Sequence, residues 1–209
     1  MSVSAERGVE RALARKREKY DREVARILAA ARAVMAARDT FDPTVADILA
    51  EAGLSTAAFY RHFPTKDDLL LALVEEAGAT TRSYLAHRLA RADDPAARVR
   101  AWVAGMCGLA RTSRAVEANR PFLLNHPRLV ARFAPELDAM IDLLTAPLAA
   151  AVREGRAAAG APPGDPELDA RLVHYQVFAV LIDHAAARRT IPPALVEALQ
   201  RHAERAVLR

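Results

Sequence analysis

Apolar residues recur along the chain at the three-to-four spacing of helices, and no stretch alternates with the two-residue period of a strand. The reading is all-α. Residues 1–20 are charged, with mixed signs and few large apolar groups. They are expected to form either a disordered arm or a solvated extension of the first helix. From Asp21 the pattern tightens. Val24, Ile27, Leu28, Ala31, Val34 and Met35 predict a helix through Arg38, which Asp39-Thr-Phe-Asp-Pro43 interrupts. Thr44 then caps a short helix with Val45, Ile48, Leu49 and Ala52 on one face, and Gly53 stops it. Ser55 caps a second short helix through Phe63. Pro64 ends that helix, and Thr65 caps a long one from Lys66 to about Leu89. Asp94-Pro95 opens a helix bearing Val99, Trp102, Val103, Met106 and Ala110. Pro121, Pro127 and Pro135 punctuate shorter pieces. A longer helix follows over about 135–159, with a kink expected at Pro147. Residues 160–166 read as a linker, and two last helices are expected at about 167–189 and 193–208.

Composition narrows the class. The 209 residues hold 52% hydrophobic but only 5% aromatic residues, so aliphatic side chains and Ala must build the core. The single Cys excludes an internal disulfide and any Cys-rich zinc module, and suits a reducing cytoplasm. No secretory leader and no membrane-length apolar run is visible, so the expected location is cytoplasmic, with no membrane partner. No HExxH, GxSxG or Gly-rich phosphate loop occurs, and no His pair has metal spacing. No enzyme, cofactor or metal site is therefore expected.

Basic charge by itself says little, because nearly all of it is Arg in an Ala- and Arg-rich chain. Its placement says more. Residues 1–66 carry twelve Lys and Arg against nine Asp and Glu, and Ala52 to Lys66 contains no acid at all. Two short capped helices joined by a Gly turn make a helix-turn-helix arrangement. On the second, Phe59 and Phe63 are four apart and can face inward together. Thr56, Ala57, Tyr60 and Arg61 are then left on a small, polar, basic face that suits a DNA major groove. Arg61 can reach a guanine edge or a phosphate, and Tyr60 can donate to a phosphate.

The stretch Thr44-Val-Ala-Asp-Ile-Leu-Ala-Glu-Ala-Gly-Leu-Ser-Thr-Ala-Ala-Phe-Tyr-Arg-His-Phe-Pro-Thr-Lys-Asp-Asp-Leu-Leu70 resembles the DNA-binding signature of the tetracycline-repressor (TetR) family. The resemblance covers about 22–75. Its specific part is Phe-Tyr-Arg-His-Phe followed by Thr-Lys-Asp-Asp-Leu. It implies phosphate contacts at Thr44, Ser55, Tyr60, His62 and Lys66, and groove contacts at Thr56, Ala57 and Arg61. The sequence departs from the family where a Gly is usual near Arg38-Asp39, an aromatic at Met35 and a small residue at Leu49. These positions touch the preceding loop and packing rather than the groove face.

The resulting organisation is a charged arm (1–20), a helix-turn-helix DNA-binding domain (21–66) and a helical ligand-binding and dimerisation domain (67–209). The helix over 167–189 is apolar nearly all round, so it must be covered on two sides. One cover is its own domain; the other is the same helix of a second subunit, with Val173, Val177, Val180, Leu195 and Leu199 at the interface. Trp102, Met106, Phe122, Phe133, Met140, Tyr175 and Phe178 are candidates to line a pocket, and equally candidates for plain core. His126, His174 and Asn119 could orient a polar group of a ligand, and Cys107 reads as a buried, inert thiol. The expected function is a regulator, most simply a repressor, that binds palindromic double-stranded DNA as a homodimer and is released by a small, mostly apolar ligand. The alternatives are a DNA-binding protein whose second domain holds a protein partner and, more remotely, a helical enzyme that does not bind DNA.

Overall fold

The computed structural model describes residues 3–208; of the side chains before residue 13 it describes only that of Glu10. Among the described residues there is no strand. The helices are α1 (Val3–Arg38), α2 (Val45–Ala52), α3 (Thr56–His62), α4 (Lys66–Leu89), α5 (Pro95–Cys107), α6 (Ser113–Leu124), α7 (His126–Ala159), α8 (Pro166–Ala186) and α9 (Pro193–Val207), with a 3₁₀ turn at Gly108–Ala110. None of them is long and apolar enough to cross a membrane. The chain divides into two compact units between Leu73 and Val74, inside α4.

In the first unit the sequence signals act where they stand. Residues 3–20 are helical and continuous with α1. Their described side chains are exposed, so of the two expectations for the arm the solvated extension is observed. Residues 1 and 2 lie outside the described residues. Asp39 ends α1 in the left-handed conformation (φ 49°), and the Thr40 N–H donates to the Met35 carbonyl at 3.1 Å. Asp tolerates this conformation better than most residues, so it does here what Gly does elsewhere. The Thr44 hydroxyl accepts from the Asp47 N–H at 3.1 Å and Ser55 Oγ from the Ala58 N–H at 3.2 Å, capping α2 and α3. Gly53 (φ 61°) makes the turn between them. Arg26 of α1 closes that turn from outside by donating to the Ala52 carbonyl at 2.5 Å. Ile27, Ala31, Met35, Ile48, Phe59, Leu69 and Leu70 form the buried centre, with Phe59 and Phe63 ring to ring at 5.9 Å.

The second unit is built around α8, which lies against α5, α6, α7 and α9. Trp102 is fully buried and donates its indole N–H to the Leu144 carbonyl at 2.9 Å. Arg156 donates to the Pro163 carbonyl (2.9 Å) and pairs with Asp169 (2.6 Å), which ties down the linker before α8. Two expectations need correction. The break in α7 is at Phe133 (φ −132°, ψ 37°), not at Pro147. Pro135 removes an N–H and crowds the Ala131 carbonyl, and the chain yields just before it. Pro147 leaves the helix intact. The residue whose carbonyl it deprives, Leu143, is 54% exposed, on the side where water can replace the bond. The second correction concerns α8. Val173 and Val177 are only 3% and 1% exposed within a single chain, so they belong to its own core and not to a subunit interface. The stripe facing outward is Leu168, Leu172, Tyr175 and Ala179, with Leu172 53% exposed.

Candidate nucleic-acid interface and ligand cavity

The seven-residue α3 presents Thr56, Ala57, Tyr60 and Arg61 outward and turns Ala58 and Phe59 inward. Tyr60 is 52% exposed. Thr44 and Ser55 are exposed at the starts of α2 and α3. Each hydroxyl oxygen accepts from its own helix, and the Thr44 hydroxyl also donates to Asp47 Oδ2 at 2.6 Å. Arg38 grips the same Asp47 at 2.5 and 2.8 Å. Thr44 first, and Arg38 after it, hold the Asp47 carboxyl below its ordinary range.

The cations of this face are not free. Arg61 pairs with Glu23 of α1, and Lys66 pairs with Asp42. An acid 38 residues back in sequence thus holds the guanidinium expected at the groove. His62 departs from its assigned role. Its side chain is wholly buried, with Nε2 2.7 Å from Glu23 Oε2 and its ring edge-on to Tyr20 at 4.2 Å, so it supports the helix end rather than offering a phosphate contact. Hydrogen bonds from His62, then from Arg61, lower the Glu23 carboxyl below its ordinary range. Glu23, Arg26 and Asp42 escaped the sequence reading, because their partners lie 24 to 39 residues away and no local pattern marks them.

In the second unit a cavity of about 110 Å³ is lined from α4 to α8. Four of the seven residues proposed for it are there: Met106, Phe122, Met140 and Phe178. Trp102 is core beside it, Phe133 packs at the break in α7, and Tyr175 is exposed on the outer stripe, so none of these three lines the cavity. Asn119, His126 and His174 do line it. His174 stacks on Phe178 (5.5 Å, 20°), and His126 meets the Phe178 ring edge at 4.7 Å. Burial, then the nearby His126 and Arg171, pushes His174 down to about 4; burial alone lowers His126. The Nδ1 of His174 is buried without a hydrogen-bond partner. A more open cleft of about 290 Å³ shares Gly78, Met140 and Leu144 with the cavity. A Cβ on Gly78 would stand 2.5 Å from Met140 Sδ, so only Gly lets Met140 lie there. Cys107 is buried and its thiol is pushed up to about 11, as expected of an inert Cys. Among the described residues no three His, Cys, Asp or Glu side chains are grouped to hold a metal.

Residues 27–73 match the profile of the bacterial regulatory proteins of the tetR family. No curated protein matches the chain. Among solved structures, a TetR transcription regulator from Haloarcula marismortui is similar at a TM-score of 0.73 and 18% identity, over 90% of this chain and 97% of that one. GusR of Salmonella enterica aligns at 0.69 and 19%, over 88% and 95%. RolR, solved with its ligand resorcinol, aligns at 0.60 and 19%, over 91% and 89%. At these identities the structures establish a shared fold. The profile match falls on the capped helices that expose Thr56, Ala57, Tyr60 and Arg61, so over residues 27–73 the chain is similar to the DNA-binding part of the tetR family.

Proposed function

We propose that this chain is a transcriptional regulator of the TetR family that binds double-stranded, near-palindromic DNA as a homodimer and acts as a repressor, in the cytoplasm, that a small, mostly apolar molecule releases. The observation that carries the DNA reading is the exposed face of α3. It is small and hydroxyl-bearing, contains no acid, and is flanked by two capped helix starts. Thr56, Ala57 and Arg61 approach the bases, while Thr44, Ser55, Tyr60 and Lys66 contact phosphates. Arg61 and Lys66 exchange a carboxylate for the DNA when it arrives. The outward stripe of α8 with Leu172, together with the half-buried Val180, Leu195 and Leu199, supports a second copy as the dimer partner.

The ligand reading rests on the cavity of the second unit. That RolR, of the same fold, was solved with resorcinol supports a small-molecule occupant. The decisive experiment selects duplexes in vitro with the purified protein and titrates the selected sequence. Recovery of a two-fold symmetric site is expected, with affinity falling on the order of 10³-fold between 50 and 200 mM salt. An asymmetric site, or a complex indifferent to salt, would contradict the reading. Tyr60→Phe should weaken binding to selected and random duplexes alike, since it removes a phosphate contact and no base readout.

A further inference from the structure

The chemistry of the cavity specifies more than an apolar occupant. Among the described residues lining it there is no Asp, Glu, Lys or Arg. Its polar groups are few, and most of their donors are spent. Asn119 Nδ2 donates to the Leu109 and Ala115 carbonyls at 3.0 and 2.9 Å, and the Thr81 hydroxyl donates to the Ala77 carbonyl at 2.9 Å. What remains is the Asn119 carbonyl oxygen, the Thr81 oxygen and, on each neutral imidazole, one accepting nitrogen beside one N–H. His174 adds an orphaned Nδ1 in a ring that is 4% exposed. Burial disfavours the charged form of both histidines, so the site offers no cation to a carboxylate and no anion to an amine. The walls that remain are the flat faces of Phe122 and Phe178 and the thioethers of Met106 and Met140, all well suited to an aromatic ring. An apolar cavity of about 150 Å³ is known to hold benzene. One of about 110 Å³, walled by two flexible Met side chains, is on that scale.

We propose that this cavity binds an uncharged one-ring phenol, whose hydroxyl donates to His174 Nδ1 while its ring lies among Phe122, Phe178 and Met140. A hydroxyl donor satisfies the acceptor that the fold leaves unpaired, which a plain hydrocarbon cannot do. A benzoate would bury its charge with no cation to pair it. This inference rests on the ligand reading above, but its test separates the two.

Phenol, toluene and benzoate are titrated into the full chain by calorimetry. Phenol is expected to bind on the order of tenfold more tightly than toluene, with benzoate weakest. His174→Phe, which keeps a ring and removes both nitrogens, should abolish the advantage of phenol while toluene binds as before. Toluene equal to phenol, benzoate tighter than either, or no binding by any of the three would overturn the proposal. So would an unchanged phenol-to-toluene ratio in a folded His174→Phe. Should that variant fail to fold, the ratio in the parent protein decides. Phenol is also added to the protein bound to its selected duplex. Binding of phenol without release of DNA would end the ligand-release reading and leave the cavity assignment intact. Absence of phenol binding beside normal DNA recognition would do the reverse.

Discussion

The two units handle their polar side chains differently. In the first, hydroxyls and charges are matched in pairs, Thr44 with Asp47, Arg38 with Asp47, Arg61 with Glu23 and Lys66 with Asp42, and the buried His62 meets Glu23 through Nε2, though its Nδ1 is buried without a partner. In the second, two histidines are drawn into an aromatic cluster and one ring nitrogen has no partner. Each arrangement suits the guest proposed for it, an anion in the first unit and a neutral molecule in the second. Exposed pairs contribute little to stability and exchange readily, so a phosphate can displace the carboxylate. A buried unpaired acceptor is costly, and a matching guest removes that cost.

The contrast can be broken from its strongest side first. Trp102→Ala removes the largest fully buried side chain of the second unit and should cost about 3–5 kcal/mol, read by denaturant unfolding. A cost under about 1 kcal/mol would mean that this core is loosely packed. The next effect is pH-dependent. The folded-state value of His174 lies near 4, below the unfolded value near 6.5. The unfolded chain therefore binds the extra proton, and stability is full above pH 6.5 and declines as the pH falls toward 4. About 2–3 kcal/mol should be lost over that window, and His174→Phe should flatten the profile there. Glu23 has the same sign at lower pH. Its folded-state value lies below 4.5, so the stability it contributes disappears only as the pH falls through the acid range beneath that value.

Gly53→Ala places a Cβ at φ 61°, 3.3 Å from Arg26 Nη2, and should cost about 1–2 kcal/mol in unfolding of the first unit. An unchanged midpoint would mean that the turn is not held as described. The smallest expected change is the most informative about DNA. Glu23→Gln frees Arg61 and removes a negative charge beside the reading face, so affinity for random-sequence duplex should rise roughly threefold. A fall instead would show that Glu23 orients Arg61 for binding rather than restraining it.

The same contrast explains what could be read from the sequence. Caps and stops are local, and Thr44, Gly53, Ser55, Asp94 and Pro95 each announced a helix end that the structure contains. The inward turn of Phe59 and Phe63 followed from a spacing of four. Asn119, His126 and His174 were legible as polar residues that could orient a guest, and they line the cavity together. The failures involve distance in the chain. Nothing near His62 reveals that Glu23 and Tyr20 will enclose it. Nothing near Val173 or Tyr175 tells which side of a helix apolar all round will face its neighbours. Helices α5, α6, α7 and α9 all lie against α8, and only their packing puts Val177 inside and Leu172 out.

Gly78 has a bearing on time rather than on affinity. Because α4 carries no side chain at that position, Met140 can lie against its backbone as the shared wall of the inner cavity and the outer cleft. An unbranched thioether changes rotamer far faster than helices move apart. A guest that passes there waits on one side chain, not on a breathing fold. For the ligand proposed above, exchange past this wall should be quick, and a regulator released by it would follow falling concentration with little delay. A β-branched residue in place of Met140 should slow both entry and exit, and stopped-flow association and dissociation would register the difference beside any change in affinity.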